Sequence, residues 1–142
     1  MHADTATTRP KPEATVLLAE DNDDARRVYA TYLTHVGYEV REARNGEDAL
    51  MIARSEPVDL ILMDIGLPVL DGWDATRRLK ADERTRNIPV VALTAYALAA
   101  DAAIAAEVGC VAFLPKPCTP REVVVTIRRV LADLAPRAAG ST

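Results

Sequence analysis

Short apolar runs rich in β-branched residues recur along the chain at Val16–Ala19, Val40–Ala43, Val58–Met63, Val90–Leu93 and Val111–Leu114. After each run, apolar residues return every three to four positions. This alternation predicts a strand followed by a helix, five times over. In the first helix Ala25, Val28, Tyr29, Tyr32, Leu33 and Val36 make one apolar stripe, and Gly37 stops it. The second starts after Asn45, a good N-cap, and covers Glu47 to about Arg54 before Pro57 forces the exit. The third runs from about Gly72 to Lys80. The fourth, within the alanine-rich "AYALAADAAIAAEVG", closes on Gly109. The fifth opens on a capping box, Thr119-Pro120-Arg121-Glu122, and turns Val123, Val124, Ile127, Val130, Leu131 and Leu134 inward.

Strands that alternate with helices across short loops favour a parallel sheet, because right-handed crossovers place helices on both of its faces. The expected fold is therefore α/β, an open, doubly wound, five-stranded parallel sheet. Such sheets bind ligands beyond the carboxyl ends of their strands. There the sequence places Glu20 and Asp21 after strand one, Asp64 at the end of strand three, Thr94 at the end of strand four, and Lys116-Pro117 after strand five. Strand two ends without such a group.

Length and composition narrow the field. At 142 residues and 49% apolar content the chain fits one ordinary core. Residues 1–13 and 135–142 are expected to be disordered tails around a domain at 14–134. A net charge of −4 with scattered basic residues argues against a nucleic-acid binder. No apolar run approaches the length of a membrane span, and the amino terminus lacks a signal-peptide h-region, so a cytoplasmic protein is expected. Cys110 and Cys118 form no CxxC pair and have no neighbouring histidine, which suits reduced thiols and not zinc. His2 and His35 read as solvated or structural residues.

Asp64 raises the chemical question, because a carboxylate closing the apolar run Leu60-Ile61-Leu62-Met63 is costly to desolvate. Three carboxylates at one sheet end would repel one another by about 4 kcal/mol per close pair at an effective dielectric of about 20. They call for a cation. Carboxylate oxygens with room left for water and a phosphoryl group describe a Mg²⁺ site better than a zinc or calcium cage. A lysine and a hydroxyl opposite would suit phosphoryl oxygens, with a carboxylate as nucleophile. Each feature alone reads more simply: a strand-end aspartate as a structural group, "EDNDD" as a solvated acidic turn, a threonine as a cap, a lysine as a snorkelling side chain. Their joint placement at four strand ends favours the phosphoryl-transfer reading.

The ordered set "LLAEDN", "ILMDIGLP", "DG", "LTAYA" and "FLPKP" resembles the receiver domain of two-component response regulators, of chemotaxis-regulator type, over about residues 14–134. The resemblance implies a flavodoxin-like (βα)5 fold with strand order 2-1-3-4-5. It implies Asp64 as phosphoacceptor, and Glu20, Asp21, Asp64 and the Gly66 carbonyl as ligands of Mg²⁺. Thr94 and Lys116 would bind the phosphoryl group, Phe113 would be the switch aromatic, and Pro117 would follow a cis bond. Gly66 and Tyr96, two residues after Asp64 and Thr94, are expected to tune dephosphorylation and to slow it. The expected partners are a histidine kinase or histidine phosphotransfer protein, docking on Arg26, Val28 and Pro117, and a downstream protein target. With no output segment after Leu134, the expectation is a single-domain regulator that signals through protein contacts or onward relay, monomeric before phosphorylation and not an enzyme on other substrates.

Three competing readings are weaker. A flavodoxin-like electron carrier wants a phosphate-cradling loop where this chain has "EDNDD". A dehalogenase-like phosphatase wants an acid two residues after its aspartyl nucleophile, where this chain has Gly66. A phosphorylation-independent interaction module would have lost part of the acidic set.

Overall fold

A computed structural model of the protein describes residues 12–95 and 99–134. Five strands, β1 (Thr15–Ala19), β2 (Glu39–Ala43), β3 (Leu60–Asp64), β4 (Val90–Thr94) and β5 (Ala112–Pro115), alternate with five helices, α1 (Asp23–His35), α2 (Gly46–Ser55), α3 (Gly72–Ala81), α4 (Ala99–Val108) and α5 (Pro120–Leu134). All strand pairs are parallel, in the order β2-β1-β3-β4-β5. This is the expected doubly wound sheet.

The central strands are buried on both faces, so their side chains divide by parity. Val16, Leu18, Leu60, Leu62, Val91 and Leu93 pack with Tyr29 and Leu33 of α1 and with Val123, Val124, Ile127 and Val130 of α5. The intervening Leu17, Ala19, Ile61, Met63 and Val90 pack with Ala49, Leu50 and Ala53 of α2 and with Ala75 and Leu79 of α3. The helix starts follow their caps. Asn22, Asn45 and Asp71 accept from the amides of Ala25, Asp48 and Asp74. At α5, Thr119 and Glu122 exchange reciprocal side-chain to backbone bonds, the capping box read from the sequence.

Several boundaries and faces differ from expectation. Val58 and Asp59 precede β3, and the Asp59 carboxylate accepts from the Thr15 amide at 2.8 Å. Val111 lies outside β5 and is exposed. On α1, Val28 points outward and is 55% exposed, while Arg26 takes the inward position. Leu134 is exposed at the end of α5, and Thr126 is buried. Glu13, expected in the tail, is anchored by its amide to the Gly37 carbonyl at 2.9 Å. Residues 1–11 and 135–142 lie outside the described residues, as does Tyr96.

The loop from Asp64 to α3 is closely packed at two glycines. A side chain on Gly72 would come within 2.5 Å of the Asp64 carbonyl oxygen, and one on Gly46 would run into the Leu70 carbonyl. Between these clamps the chain reverses at Val69. Its φ is 71°, and the Leu70 amide donates to the Pro68 carbonyl at 2.7 Å across a γ-turn. A β-branched residue is strained there, and Val69 is 80% exposed, so no burial offsets the strain.

Two outcomes follow for stability. Val69→Asn should raise the denaturant midpoint, with a gain of about 1 kcal/mol from relieving the left-handed conformation; an unchanged or lower midpoint would contradict the strain. Gly72→Ala should cost about 1–3 kcal/mol by overpacking the strand end, read from the same titration, and a neutral result would show that the loop can retreat.

Candidate functional site

The carboxyl ends of four strands are brought level by backbone bonds that continue the sheet. The Glu20 amide donates to the Ala43 carbonyl at 3.0 Å, Ile65 to Leu93 at 2.9 Å, and Lys116 to Thr94 at 2.6 Å. In register, Ala19 pairs with Met63, which sets Glu20 beside Asp64, and Thr94 pairs with Pro115, which delivers Lys116 to the same rim. The peptide between Lys116 and Pro117 is cis, as the resemblance implied.

Glu20 and Asp64 are buried, at 1% and 5% exposure, and Asp21 is exposed beside them. One carboxylate oxygen from each of the three lies within 4.8 Å of the others. The Lys116 ammonium bridges the buried pair, 3.0 Å from Glu20 Oε1 and 3.0 Å from Asp64 Oδ2. The remaining oxygens of that pair take backbone donors. The Asn22 amide reaches Glu20 Oε2 at 3.1 Å, and the Gly66 amide reaches Asp64 Oδ1 at 3.1 Å.

Burial pushes the Glu20 carboxyl above its ordinary value, with the Asn22 amide and Lys116 pulling it back and the Asp64 charge adding to the rise. Burial alone would lower Lys116, but its hydrogen bonds to Glu20 and Asp64 prevail and hold the ammonium above its ordinary value. Lys116 is thus a fixed positive charge at neutral pH. Three carboxylates against one ammonium leave an excess of negative charge, and the hard oxygen donors fit a divalent cation of Mg²⁺ type.

The other expected site residues are distributed around this cluster. Thr94 is buried at the end of β4, and Phe113 is half-buried on β5. Among the described residues, a Cβ added to Gly66 would meet Asp64 Oδ1 alone, at 3.9 Å, so this position borders the cluster. Val28 and Pro117 are exposed.

Arg26 is not available as the docking contact expected of it. It is 6% exposed and donates to the Glu20 carbonyl at 2.9 Å, to Glu42 Oε1 at 3.0 Å and to Asp23 Oδ1 at 2.6 Å. Helical phase carried the signal: Arg26, Tyr29 and Leu33 stand at i, i+3 and i+7 on the inward stripe. A second overlooked contact joins α1 to the loop after β5, where the Tyr29 hydroxyl donates to the Cys118 carbonyl at 2.8 Å. Burial raises the Tyr29 phenol well above its ordinary range, so it stays a donor.

Comparison with known proteins agrees with this geometry. Residues 16–128 match the model of the response regulator receiver domain. The chain is 39% identical over 118 residues to the polar-differentiation response regulator DivK of Brucella anthropi, an alignment that covers 83% of this chain and 96% of that protein. The chemotaxis response regulator CheY4 of Vibrio cholerae has the same fold, with a TM-score of 0.79 at 29% identity, over 83% of this chain and 98% of that one. The receiver domain of a sensor histidine kinase from Pseudomonas aeruginosa, crystallised with a magnesium ion coordinated in its active-site cleft, matches with a TM-score of 0.78 at 37% identity, over 84% of this chain and 98% of that one. With a clustered acidic rim, a bridging lysine and a matching family model over most of its length, the chain belongs to the response-regulator receiver domains of two-component phosphorelay signalling.

Proposed function

We propose that the protein is a cytoplasmic phosphoacceptor switch in which Asp64 takes a phosphoryl group from a phosphohistidine of a histidine kinase or phosphotransfer protein. The observation that carries this reading is the buried Asp64 carboxylate, bridged by Lys116 and clustered with Glu20 and Asp21. An Asp64 carboxylate oxygen attacks phosphorus, the bond from phosphorus to the imidazole nitrogen breaks, and the nitrogen keeps the electron pair and takes up a proton.

Glu20, Asp21, Asp64 and the Gly66 carbonyl would hold Mg²⁺, which when bound supplies charge neutralisation for the phosphoryl oxygens. Lys116 contributes the second positive charge and, already placed at Asp64 Oδ2, orients the incoming group. The Thr94 hydroxyl then serves as donor to the new phosphoryl oxygens. Its movement opens space for Phe113 to turn inward, and the surface around β4 and β5 changes for a downstream protein. Phe113 has no hydroxyl, so its inward state is held by packing alone.

Docking fits the outer face of α1 and the loop after β5, which flank Asp64. An open, largely apolar groove of about 440 Å³ lies there, lined by Arg27, Val28, Thr31, Tyr32, His35 and Pro120. With Arg26 buried, Arg27 and Val28 are the accessible contacts. Among the described residues no helix is long and apolar enough to cross a membrane.

Incubating the protein with a small phosphodonor and Mg²⁺ should add one phosphoryl group, located to Asp64 by mass spectrometry. Asp64→Asn or excess EDTA should abolish the label; full labelling in either case would overturn the assignment. Hydrolysis of the acyl phosphate needs a water in line with the bond to phosphorus, and Gly66 offers no side chain to place it. Gly66→Asn should therefore speed decay by about tenfold through orientation alone. Decay at the wild-type rate would remove Gly66 from the control of phosphoryl lifetime.

A further inference from the structure

Arg26 is a buried cation whose three donor contacts all converge behind the acidic rim. One guanidinium nitrogen holds the Glu20 carbonyl at 2.9 Å, Nε holds Glu42 near the end of β2 at 3.0 Å, and the third nitrogen holds Asp23 in the first turn of α1 at 2.6 Å. The stretch from Glu20 to Asp23 is thereby fastened to β2 and α1 from one side. From the other side its carboxylates face Lys116 and Asp64.

A planar guanidinium can satisfy three acceptors at fixed angles, which an ammonium on a flexible stem cannot. Asp21 is exposed, and it sits in the turn between Glu20, whose carbonyl Arg26 holds, and Asp23, whose carboxylate Arg26 holds. We propose that Arg26 is a positioning residue for the cation, fixing the turn from which Glu20 and Asp21 reach a divalent ion shared with Asp64. The inference rests on the Mg²⁺ reading of the cluster. The competing role is a buried ion pair that stabilises the fold and leaves the metal indifferent.

The two roles separate in the Mg²⁺ dependence of labelling by acetyl phosphate, measured on the full chain with thermal melting alongside. Arg26→Gln should raise the half-saturating Mg²⁺ concentration by about tenfold, the scale on which supporting residues tune metal sites. Its rate at saturating Mg²⁺ should stay within about twofold of wild type, the signature of lost binding with the reacting groups intact. Arg26→Lys should shift the half-saturation in the same direction. Thr85→Val removes a buried hydrogen bond to the Leu79 carbonyl in the turn between α3 and β4, away from the acidic turn; it should lower the melting temperature and leave the Mg²⁺ dependence alone.

The proposal is overturned if both Arg26 variants melt lower yet keep the wild-type Mg²⁺ dependence, if Arg26→Lys behaves as wild type, or if Thr85→Val shifts the dependence as far as Arg26→Gln. Should Arg26→Gln fail to fold, Glu42→Gln removes one anchor of the guanidinium at an exposed position. A smaller shift in the same direction then supports the proposal, and none overturns it. Should wild type take no label at any Mg²⁺ concentration, the phosphoacceptor reading fails by itself. Calorimetric titration with Mg²⁺ alone then decides for Arg26: weakened binding in Arg26→Gln supports it, and unchanged binding or none overturns it.

Discussion

The Lys116 ammonium stands 3.0 Å from a carboxylate oxygen of Glu20 and 3.0 Å from one of Asp64, and both acids are buried at the ends of apolar strands. Removing either carboxylate from water without a counter-charge would cost several kcal/mol. The bridge, with the amides of Asn22 and Gly66 on the remaining oxygens, makes the arrangement tolerable. It also requires β1, β3 and β5 to end at the same level, so the register of the whole sheet is tied to one ammonium.

That requirement explains features that lie away from the charges. The glycine at position 72 lets α3 start directly against the Asp64 carbonyl, and the turn at Val69 brings the chain back within a few residues. The Lys116 amide pairs with the Thr94 carbonyl, which couples the lysine to the end of β4. A group added at Asp64 thus meets elements of four strands at once. A packed interior does not deform smoothly, so added charge at this rim favours a discrete rearrangement of its neighbours.

Most of the architecture was legible because its signals are local. The βα alternation, the caps at Asn45 and Thr119, and the placement of acids, hydroxyl and lysine at strand ends are all local sequence patterns. The departures from expectation have separate physical causes. Arginine seldom occupies a core stripe, so the sequence favours the surface for Arg26; three acceptors, two in the turn before it and one on β2, make its burial tolerable. Val28 was drawn into the stripe by its hydrophobicity although its helical phase points outward. Leu134 is the last residue of α5 and is exposed. The strain at Val69 had no sequence signal, because valine is not a turn residue and the close approaches of Gly46 and Gly72 that force the turn are tertiary.

The central claim is that the negative charge left after Lys116 is balanced by a divalent ion among Glu20, Asp21 and Asp64. Anomalous diffraction from a crystal grown with Mn²⁺ in place of Mg²⁺ tests it most directly. One strong peak is expected within coordination distance of the Glu20, Asp21 and Asp64 carboxylates and the Gly66 carbonyl, with Lys116 still beside Asp64. A peak elsewhere, or none at this rim under conditions that support labelling, would contradict it.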